Sequence, residues 1–96
     1  MKPSEALEKH RADIRRIVSE NRSSNPRVFG SVLHREDTEN SDLDLLIDPT
    51  EKTSLMDLAR IGHALETMMN VKVDILTPES LPPKFRKRVL DEAVSV

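Results

Sequence analysis

Apolar positions along the chain recur with two periods, one of about 3.6 residues and one of two residues. Three segments have the helical period: residues 4–20, residues 54–69 and a last segment that starts at Pro83. Each has one apolar stripe, and charged or polar residues fill its other positions. The pattern therefore predicts three amphipathic helices that each bury a single face. The predicted buried stripes are Leu7, Ile14, Ile17 and Val18; Leu55, Leu58, Ile61, Leu65, Met68 and Met69; and Phe85, Val89, Leu90 and Ala93.

Between the helices the chain alternates short apolar segments with polar linkers. Residues 21–26 form a polar break, and residues 32–41 are predicted to be a loop with one helical turn after Ser31. Pro49 ends the apolar segment before it, because proline cannot donate to a sheet ladder. The predicted strands are residues 27–29, 42–47 and 71–76.

The order helix–strand–strand–helix–strand–helix predicts one α/β (α+β) domain over residues 1–96. A helix separates the second and third strands, so these should be parallel neighbours joined by a right-handed crossover. The link between the first two strands is too short for a helical crossover, so that pair should be antiparallel. We therefore expect a small mixed β-sheet with helices packed on it.

Composition narrows the class of function. The chain has a formal charge of −2, two Phe and no Tyr or Trp, which argues against strong stand-alone nucleic-acid binding by a basic or aromatic surface. It has no Cys, so disulfides and thiolate metal sites are excluded. The chain begins with a charged segment and has no apolar run long enough to span a bilayer, so we expect a cytoplasmic protein with no membrane partner.

Aspartates interrupt two of the predicted strands. Asp42 and Asp44 stand two residues apart, so their side chains leave the same face of the sheet, where they repel each other unless a cation or water neutralises them. Asp74 interrupts the third strand, and three carboxylates on one patch could hold two Mg²⁺ ions for phosphoryl transfer. An Asp-x-Asp motif without other signals is more simply explained by carboxylates at a strand end or in a turn that face water. By the same simple reading, Asp48 lies in a turn and Asp37 in a solvated loop.

Gly30 and Ser31 directly follow the first strand, where a phosphate cradle is commonly placed. Glycine lets a phosphate approach the backbone closely, the amides of a following helical turn point towards it, and Ser31 adds a hydroxyl donor. Alone, this pair is a turn signal. Its combination with an Asp-x-Asp after the ten residues 32–41, and with an acid in the next strand, is specific and favours a nucleotide-phosphate site.

Together these motifs resemble the minimal nucleotidyltransferase (MNT) family of the DNA polymerase beta-like superfamily. The resemblance covers about residues 26–93, with its motifs at residues 28–31, 41–47 and 71–78. It implies the nucleotidyltransferase (polymerase beta-like) fold, with Mg²⁺, two ions by expectation, as cofactor. It also implies that Asp42 and Asp44 coordinate both ions and the nucleotide phosphates. Asp74 would complete the metal site beside the acceptor hydroxyl and help to deprotonate it, and Gly30 and Ser31 would bind the triphosphate.

The loop after the Gly-Ser pair departs from the family pattern. Family members often have Ala-Arg-Gly where Leu33, His34 and Arg35 stand, so it stays open whether His34, Arg35 or neither supports the phosphates. A second basic segment, residues 84–88, is predicted to be a solvated helix face. The alternative for that segment is a docking surface for an acidic protein or an RNA backbone.

The reaction that the resemblance implies is transfer of a nucleoside monophosphate, AMP from ATP by preference, to an acceptor hydroxyl. Many family members are antitoxins, and characterised examples adenylylate a tyrosine of a HEPN-family ribonuclease toxin. A HEPN partner is therefore the expected acceptor, because the chain has no residues for a separate acceptor domain. Two alternatives stay open: a non-catalytic antitoxin that neutralises its toxin by complex formation, and the catalytic subunit of a small-molecule (antibiotic) nucleotidyltransferase.

Overall fold

The computed structural model describes the whole chain, residues 1–96. No helix combines the length and the apolar character that crossing a bilayer requires. A 3-10 turn, Pro78–Ser80, precedes the last helix. The other elements are α1 (Pro3–Lys9), α2 (Arg11–Glu20), β1 (Ser23–Phe29), α3 (Gly30–Leu33), β2 (Leu43–Pro49), α4 (Leu55–Met69), β3 (Val73–Leu76), α5 (Pro83–Glu92) and β4 (Val94–Ser95).

The four strands form one mixed sheet in the order β3-β2-β1-β4. β1 and β2 are antiparallel, and β2 and β3 are parallel with α4 between them in sequence, as the sequence predicts. The two-residue β4 is not predicted, and it pairs antiparallel with the outer edge of β1. The arrangement confirms the predicted fold class and makes β2 an inner strand with a partner on each edge.

One face of the sheet carries the main core, and the other is covered only in part. Leu43, Leu45 and Ile47 of β2 are fully buried in one cluster with residues of α1, α2 and α4. Because side chains alternate along a strand, Asp44 and Leu46 lie on the opposite face. Leu46 is also fully buried but lies outside this cluster, where the 3-10 turn contacts β2. We call this second side the open face.

The first predicted helix, residues 4–20, is two helices in the structure. α1 ends and α2 begins at His10, whose φ of −120° and ψ of 21° are not helical. The Nδ1 atom of His10 lies 3.0 Å from Oδ2 of Asp13 in the first turn of α2. The apolar period does not reveal the break, because the buried residues Leu7 and Ile14 keep helical spacing across it.

The polar segment 21–26, predicted as a break, contains the first half of β1. The pairing of β1 with β2 shifts register between Ser24 and Arg27, and Asn25 occupies this bulge with a φ of 53°. Asn25 donates to the Asp48 carboxylate at 3.0 Å, and Arg27 donates to it at 3.0 and 3.1 Å. The predicted turn position of Asp48 is therefore wrong: it lies in β2 with a guanidinium partner.

The loop between α3 and β2 is anchored at Asp37. Its Oδ2 accepts a hydrogen bond of 2.9 Å from the backbone N–H of Ser4, at the start of α1. The first N–H groups of a helix lack partners within the helix, so a nearby carboxylate is a favourable acceptor. The prediction of a purely solvated Asp37 is wrong, and this anchor fixes the approach of the loop to β2.

α4 begins with reciprocal capping bonds and ends at Asn70. The Ser54 hydroxyl accepts from the N–H of Asp57 at 3.1 Å, and the Asp57 carboxylate accepts from the N–H of Ser54 at 2.9 Å. Leu55, predicted to be buried, is 84% exposed, because the first turn of the helix lies beyond the cluster that buries Ile61. β3 begins later than predicted, at Val73 rather than at residue 71.

α5 is the least buried of the longer helices. The sequence predicts a buried stripe on it, but none of its residues is buried, and Phe85 and Leu90 are 41% and 40% exposed. The apolar residues of α5 recur with the period of a buried helix, yet this helix lies at the open face of the sheet and not on the main core. Arg86, predicted to lie on a solvated face, ties α5 to the preceding turn. It donates to the carbonyl oxygens of Pro78 at 2.9 Å, Glu79 at 3.2 Å and Leu81 at 3.1 Å.

Candidate active site

The three aspartates that the sequence singles out lie on the open face, near one end of β2 and β3. The parallel register places Asp74 directly beside Asp44, and the antiparallel register places Phe29 on the other side of Asp44. Asp42 comes just before β2, close enough for its charge to act on Asp44. Asp44 is half-buried, whereas Asp42 and Asp74 are exposed. The structure therefore brings the three residues to one acidic patch, as their spacing predicts.

Gly30 packs against Asp44 and has a backbone conformation that favours glycine. Its φ is +74°, in the left-handed region. A Cβ atom at this position would overlap Oδ2 of Asp44 and would lie 3.3 Å from the Cβ atom of Asp44. Glycine is thus required twice, once by the backbone and once by the neighbouring side chain. The absent side chain leaves the space in which the Asp44 carboxylate stands.

α3 is a single helical turn that starts at Gly30 and includes Ser31. The Gly30 carbonyl accepts from the N–H of His34 at 3.1 Å, and the Ser31 carbonyl accepts from the N–H of Glu36 at 2.9 Å. These bonds hold the chain in a tight turn directly after β1. Ser31 is half-buried in that turn, directly after Gly30, and Gly30 is the residue of the predicted phosphate cradle that packs against a carboxylate, that of Asp44.

The charge of the acidic patch is not balanced within the chain. None of its three aspartates forms an ion pair, whereas Asp48, farther along β2, pairs with Arg27 at 3.0 Å. Burial and the negative charges of Asp74 and Asp42 raise the pKa of Asp44 to about 6. An acidic group that the fold makes costly to ionise is a candidate for binding a cation.

We expect Asp44→Asn to stabilise the fold at neutral pH. Because the pKa of Asp44 lies above its ordinary value of 3.8, its protonated form adds stability below about pH 4, and that stability is lost as the pH rises through about 6. Asparagine stays neutral throughout. At about pH 7.5 the variant should gain about 1 kcal/mol in free energy of unfolding, a figure reduced for the solvent screening of a partly exposed group. Urea denaturation at about pH 4 and pH 7.5 measures the difference.

Asp48→Asn is the matched control on the same strand. The hydrogen bond from Arg27 lowers the pKa of Asp48, so removing this carboxylate should lower the stability near neutral pH instead of raising it. If both variants lost stability at about pH 7.5, the charge repulsion that we assign to Asp44 would be absent.

The carboxylates suit a hard cation such as Mg²⁺, but their side chains do not surround one point. No group of three His, Asp or Glu side chains in the chain forms a preassembled metal cluster. Asp44 is fixed against Gly30, while Asp42 and Asp74 are exposed and free to turn. Unpaired carboxylate oxygens on a partly exposed patch fit an ion that arrives together with the nucleotide. Binding of two ions stays a prediction.

A cleft of about 600 Å³ opens beside Gly30. One wall comes from the turn after β1 and carries His34 and Glu36, and the other comes from α5 and carries Arg88 and Glu92. The floor between the walls is apolar. The Nε2 atom of His34 lies 3.2 Å from Oε2 of Glu92, so this contact links the two walls. The cleft has the size and mixed polarity of a small-molecule site.

The two basic residues that follow α3 lie on different sides of the turn. His34 lines the cleft, whereas Arg35, with a φ of +58°, lines a separate groove beside α1 together with Leu7 and Arg11. Of the two residues that the sequence leaves open as phosphate supports, only His34 reaches the cleft beside Gly30.

A family model described as polymerase beta, nucleotidyltransferase, matches residues 13–96. The chain belongs to this nucleotidyltransferase family. Its relatives include protein adenylyltransferase MntA of Thermococcus cleftensis, 38% identical over 69 residues, which are 72% of this chain and 70% of MntA. A candidate protein adenylyltransferase of Methanocaldococcus jannaschii is 42% identical over 69 residues, 72% of this chain and 74% of that protein.

Two solved structures share the fold of this chain. A candidate minimal nucleotidyltransferase is 39% identical, with a TM-score of 0.87 over 97% of this chain and 95% of that one. A toxin–antitoxin structure with AMP-PNP is 16% identical, with a TM-score of 0.73 over 88% of this chain and 69% of that one, a likeness of fold alone. The predicted family and the predicted polymerase beta-like fold are both confirmed.

Part of this candidate site has no signal in the motifs. Arg88 and Glu92 lie on the last helix, far along the chain from Gly30, and nothing in their spacing connects them with the Gly-Ser pair. Charged residues on an amphipathic helix are usually solvated. Only the placement of α5 at the open face turns these two into a wall of the cleft.

Proposed function

We propose that this nucleotidyltransferase transfers AMP from ATP to an acceptor hydroxyl, with Asp42, Asp44 and Asp74 holding Mg²⁺. The observation that carries the proposal is the unpaired acidic patch against Gly30, in a chain that gives Asp48 a guanidinium partner. Family membership and the adenylyltransferase names of two relatives support the same chemistry.

Gly30 and Ser31 hold the triphosphate in this proposal. Glycine allows a phosphate to come close to the backbone, and the Ser31 hydroxyl and the first N–H groups of α3 are donors for its oxygens. Because Gly30 touches Asp44, a triphosphate on this turn lies next to the acidic patch. When bound there, Mg²⁺ neutralises charge on the attacking and leaving oxygens.

Asp74 is the residue that faces the acceptor. It is exposed and lies on β3, an edge strand, whereas Asp44 is enclosed between β1 and β3. Asp74 accepts the proton of the acceptor hydroxyl as its oxygen bonds to the α-phosphorus. The bond from that phosphorus to the bridging oxygen breaks, and pyrophosphate leaves with the electron pair. AMP is then joined to the acceptor as a phosphate ester.

For the acceptor we infer a tyrosine of a HEPN-class toxin. Support comes from the family resemblance, from the protein adenylyltransferase name of MntA, and from the toxin–antitoxin structure of the same fold that contains AMP-PNP. Exposed apolar residues next to the cleft, Phe85 and Leu90 on α5, suit contact with another protein.

Incubation with ATP labelled at the α-phosphate and a HEPN-type protein encoded beside this chain tests the proposal. We expect the label to appear on the partner and to be absent when the acceptor tyrosine is changed to phenylalanine. ATP labelled at the γ-phosphate is the matched control, because its label leaves in pyrophosphate.

Two results would contradict this function. Full neutralisation of the toxin without any transferred label would show a non-catalytic antitoxin. Label on a small hydroxyl-bearing antibiotic, with none on the protein partner, would show a small-molecule nucleotidyltransferase.

A further inference from the structure

The cleft beside Gly30 has few cations for a ligand as negative as a nucleoside triphosphate. The Asp44 carboxylate packs against Gly30, which lines the cleft, and Glu36 and Glu92 add negative charge to its walls, so a bound triphosphate needs positive side chains in addition to metal ions. Only His34 and Arg88 among the residues that line the cleft are basic. His34 is already paired with Glu92.

Arg88 has no anionic partner within the chain. It takes part in none of the ion pairs or side-chain hydrogen bonds, whereas its neighbour Lys87 pairs with Asp91 at 2.9 Å and Arg86 binds backbone carbonyls. The guanidinium carbon of Arg88 lies 5.4 Å from the centre of the Phe85 ring, within the range of a cation–π contact. The ring supports the side chain at the cleft wall and leaves its N–H donors free.

Other basic residues nearby cannot take this role in the structure. Arg35 lines the groove on the α1 side of the turn. Lys84 also contacts the Phe85 ring, at 5.8 Å, but does not line the cleft. Arg88 is thus the one unpaired permanent cation that shares a cleft with Gly30.

We propose that Arg88, supported on Phe85, binds the triphosphate of the nucleotide held at Gly30 and Ser31. This inference rests on the proposed nucleotidyltransferase function. A guanidinium presents a planar fork of donors that matches two phosphate oxygens, and it stays charged at any working pH. Arg88 therefore supplies a free permanent positive charge from α5. The loop after the Gly-Ser pair places none in the cleft, because its Arg35 lies in another groove and its His34 contacts Glu92.

The test compares Arg88→Gln with Arg35→Gln and Lys87→Gln, measuring the affinity for ATP and for AMP in the presence of Mg²⁺ by calorimetry. Arg88→Gln should weaken ATP binding by about 10- to 100-fold, as expected for loss of one charge-assisted contact, and change AMP binding by less than about threefold. The other two variants should bind ATP like the wild type. Arg88→Lys should restore part of the affinity. Equal melting temperatures would show that the fold is unchanged, since Arg88 makes no internal bond.

The outcomes separate this inference from the proposed function. Unchanged ATP affinity in Arg88→Gln, with a wild type that binds ATP, overturns the role of Arg88 and leaves the proposed function standing. An equal loss for ATP and AMP also overturns it, because Arg88 would then act on the part that the two ligands share, the nucleoside and its first phosphate, and not on the rest of the triphosphate. A wild type that binds no ATP with Mg²⁺ refutes the proposed function itself.

Discussion

Changing Asp42 and Asp44 together to asparagine should lower the rate of pyrophosphate release from ATP by about 1,000-fold or more. Removal of one preorganised charged or polar group at a reacting centre commonly costs a factor of about 100 to 1,000, and here two neighbouring carboxylates are lost. Asparagine is nearly isosteric, so the shape of the patch is kept while its negative charge is removed. A coupled pyrophosphate assay with the HEPN-class acceptor, with and without a chelator, measures the effect.

Unfolding cannot explain such a loss, because the same change at Asp44 relieves repulsion and should raise stability near neutral pH. Asp48→Asn provides the control: it changes an aspartate of the same strand that pairs with Arg27 and lies outside the patch. We expect this variant to keep its pyrophosphate release within about threefold of the wild type. A double variant as active as the wild type would mean that the acidic patch does not hold the catalytic ions.

Gly30→Ala should lower both stability and activity. An alanine at a φ of +74° is strained, and its Cβ would overlap the Asp44 carboxylate. We expect a loss of about 1–3 kcal/mol in the free energy of unfolding. Because Asp44 has to move, pyrophosphate release should fall by about 100-fold, the cost of misplacing a reacting group by about 1 Å. Urea denaturation and the pyrophosphate assay measure the two effects separately.

The chain contains its own control for this substitution, since Gly62 is its only other glycine. Gly62 lies within α4, and a Cβ there would meet only Ile75 Cγ1 at an ordinary 3.5 Å. Gly62→Ala should stabilise the helix by about 0.5–1 kcal/mol and leave catalysis unchanged. Gly30→Ala combined with Asp44→Ala removes most of the overlap, so this pair should recover part of the stability and none of the activity. If Gly30→Ala were as active as the wild type, the contact between Gly30 and Asp44 would have no part in the reaction.

The acidic patch could be predicted from sequence because the period of a strand fixes which residues share a face. Leu43, Leu45 and Ile47 mark the core side of β2, so Asp42 and Asp44 fall on the other side whatever the rest of the fold does. The parallel pairing of β2 with β3 follows from the helix between them. The sequence therefore contains the acids, their common face and the neighbouring glycine.

The electrostatic difference between two aspartates of one strand could not be predicted. Asp44 and Asp48 look alike in sequence, since both interrupt an apolar run near one of its ends. At the bulge, Asn25 and Arg27 both donate to Asp48, whereas the residue opposite Asp44 is the uncharged Phe29. A bulge leaves no periodic pattern of apolar residues in the sequence, and its polar residues have the composition of a loop.

The position of α5 was beyond prediction for a different reason. Its apolar stripe shows that the helix has one face to cover, but a period cannot show whether the main core has room for that face. β4 also depends on the rest of the fold, because two residues become a strand only when the chain returns to the free edge of β1. There the N–H of Val96 donates to the Pro26 carbonyl at 3.0 Å, and Arg15 donates to the Val96 carbonyl at 2.9 Å.

The inner position of β2 has a consequence for the timing of a reaction cycle. A strand with partners on both edges and a fully buried apolar face opens only when the whole domain unfolds, whereas a helix without a single buried residue opens locally at small cost in free energy. We therefore expect β2, which holds Asp44, to open far more rarely than α5, which forms one wall of the cleft. In the proposed reaction, we expect displacement of α5 alone to admit the nucleotide and release pyrophosphate, so turnover would not require the carboxylates to be assembled anew in each cycle.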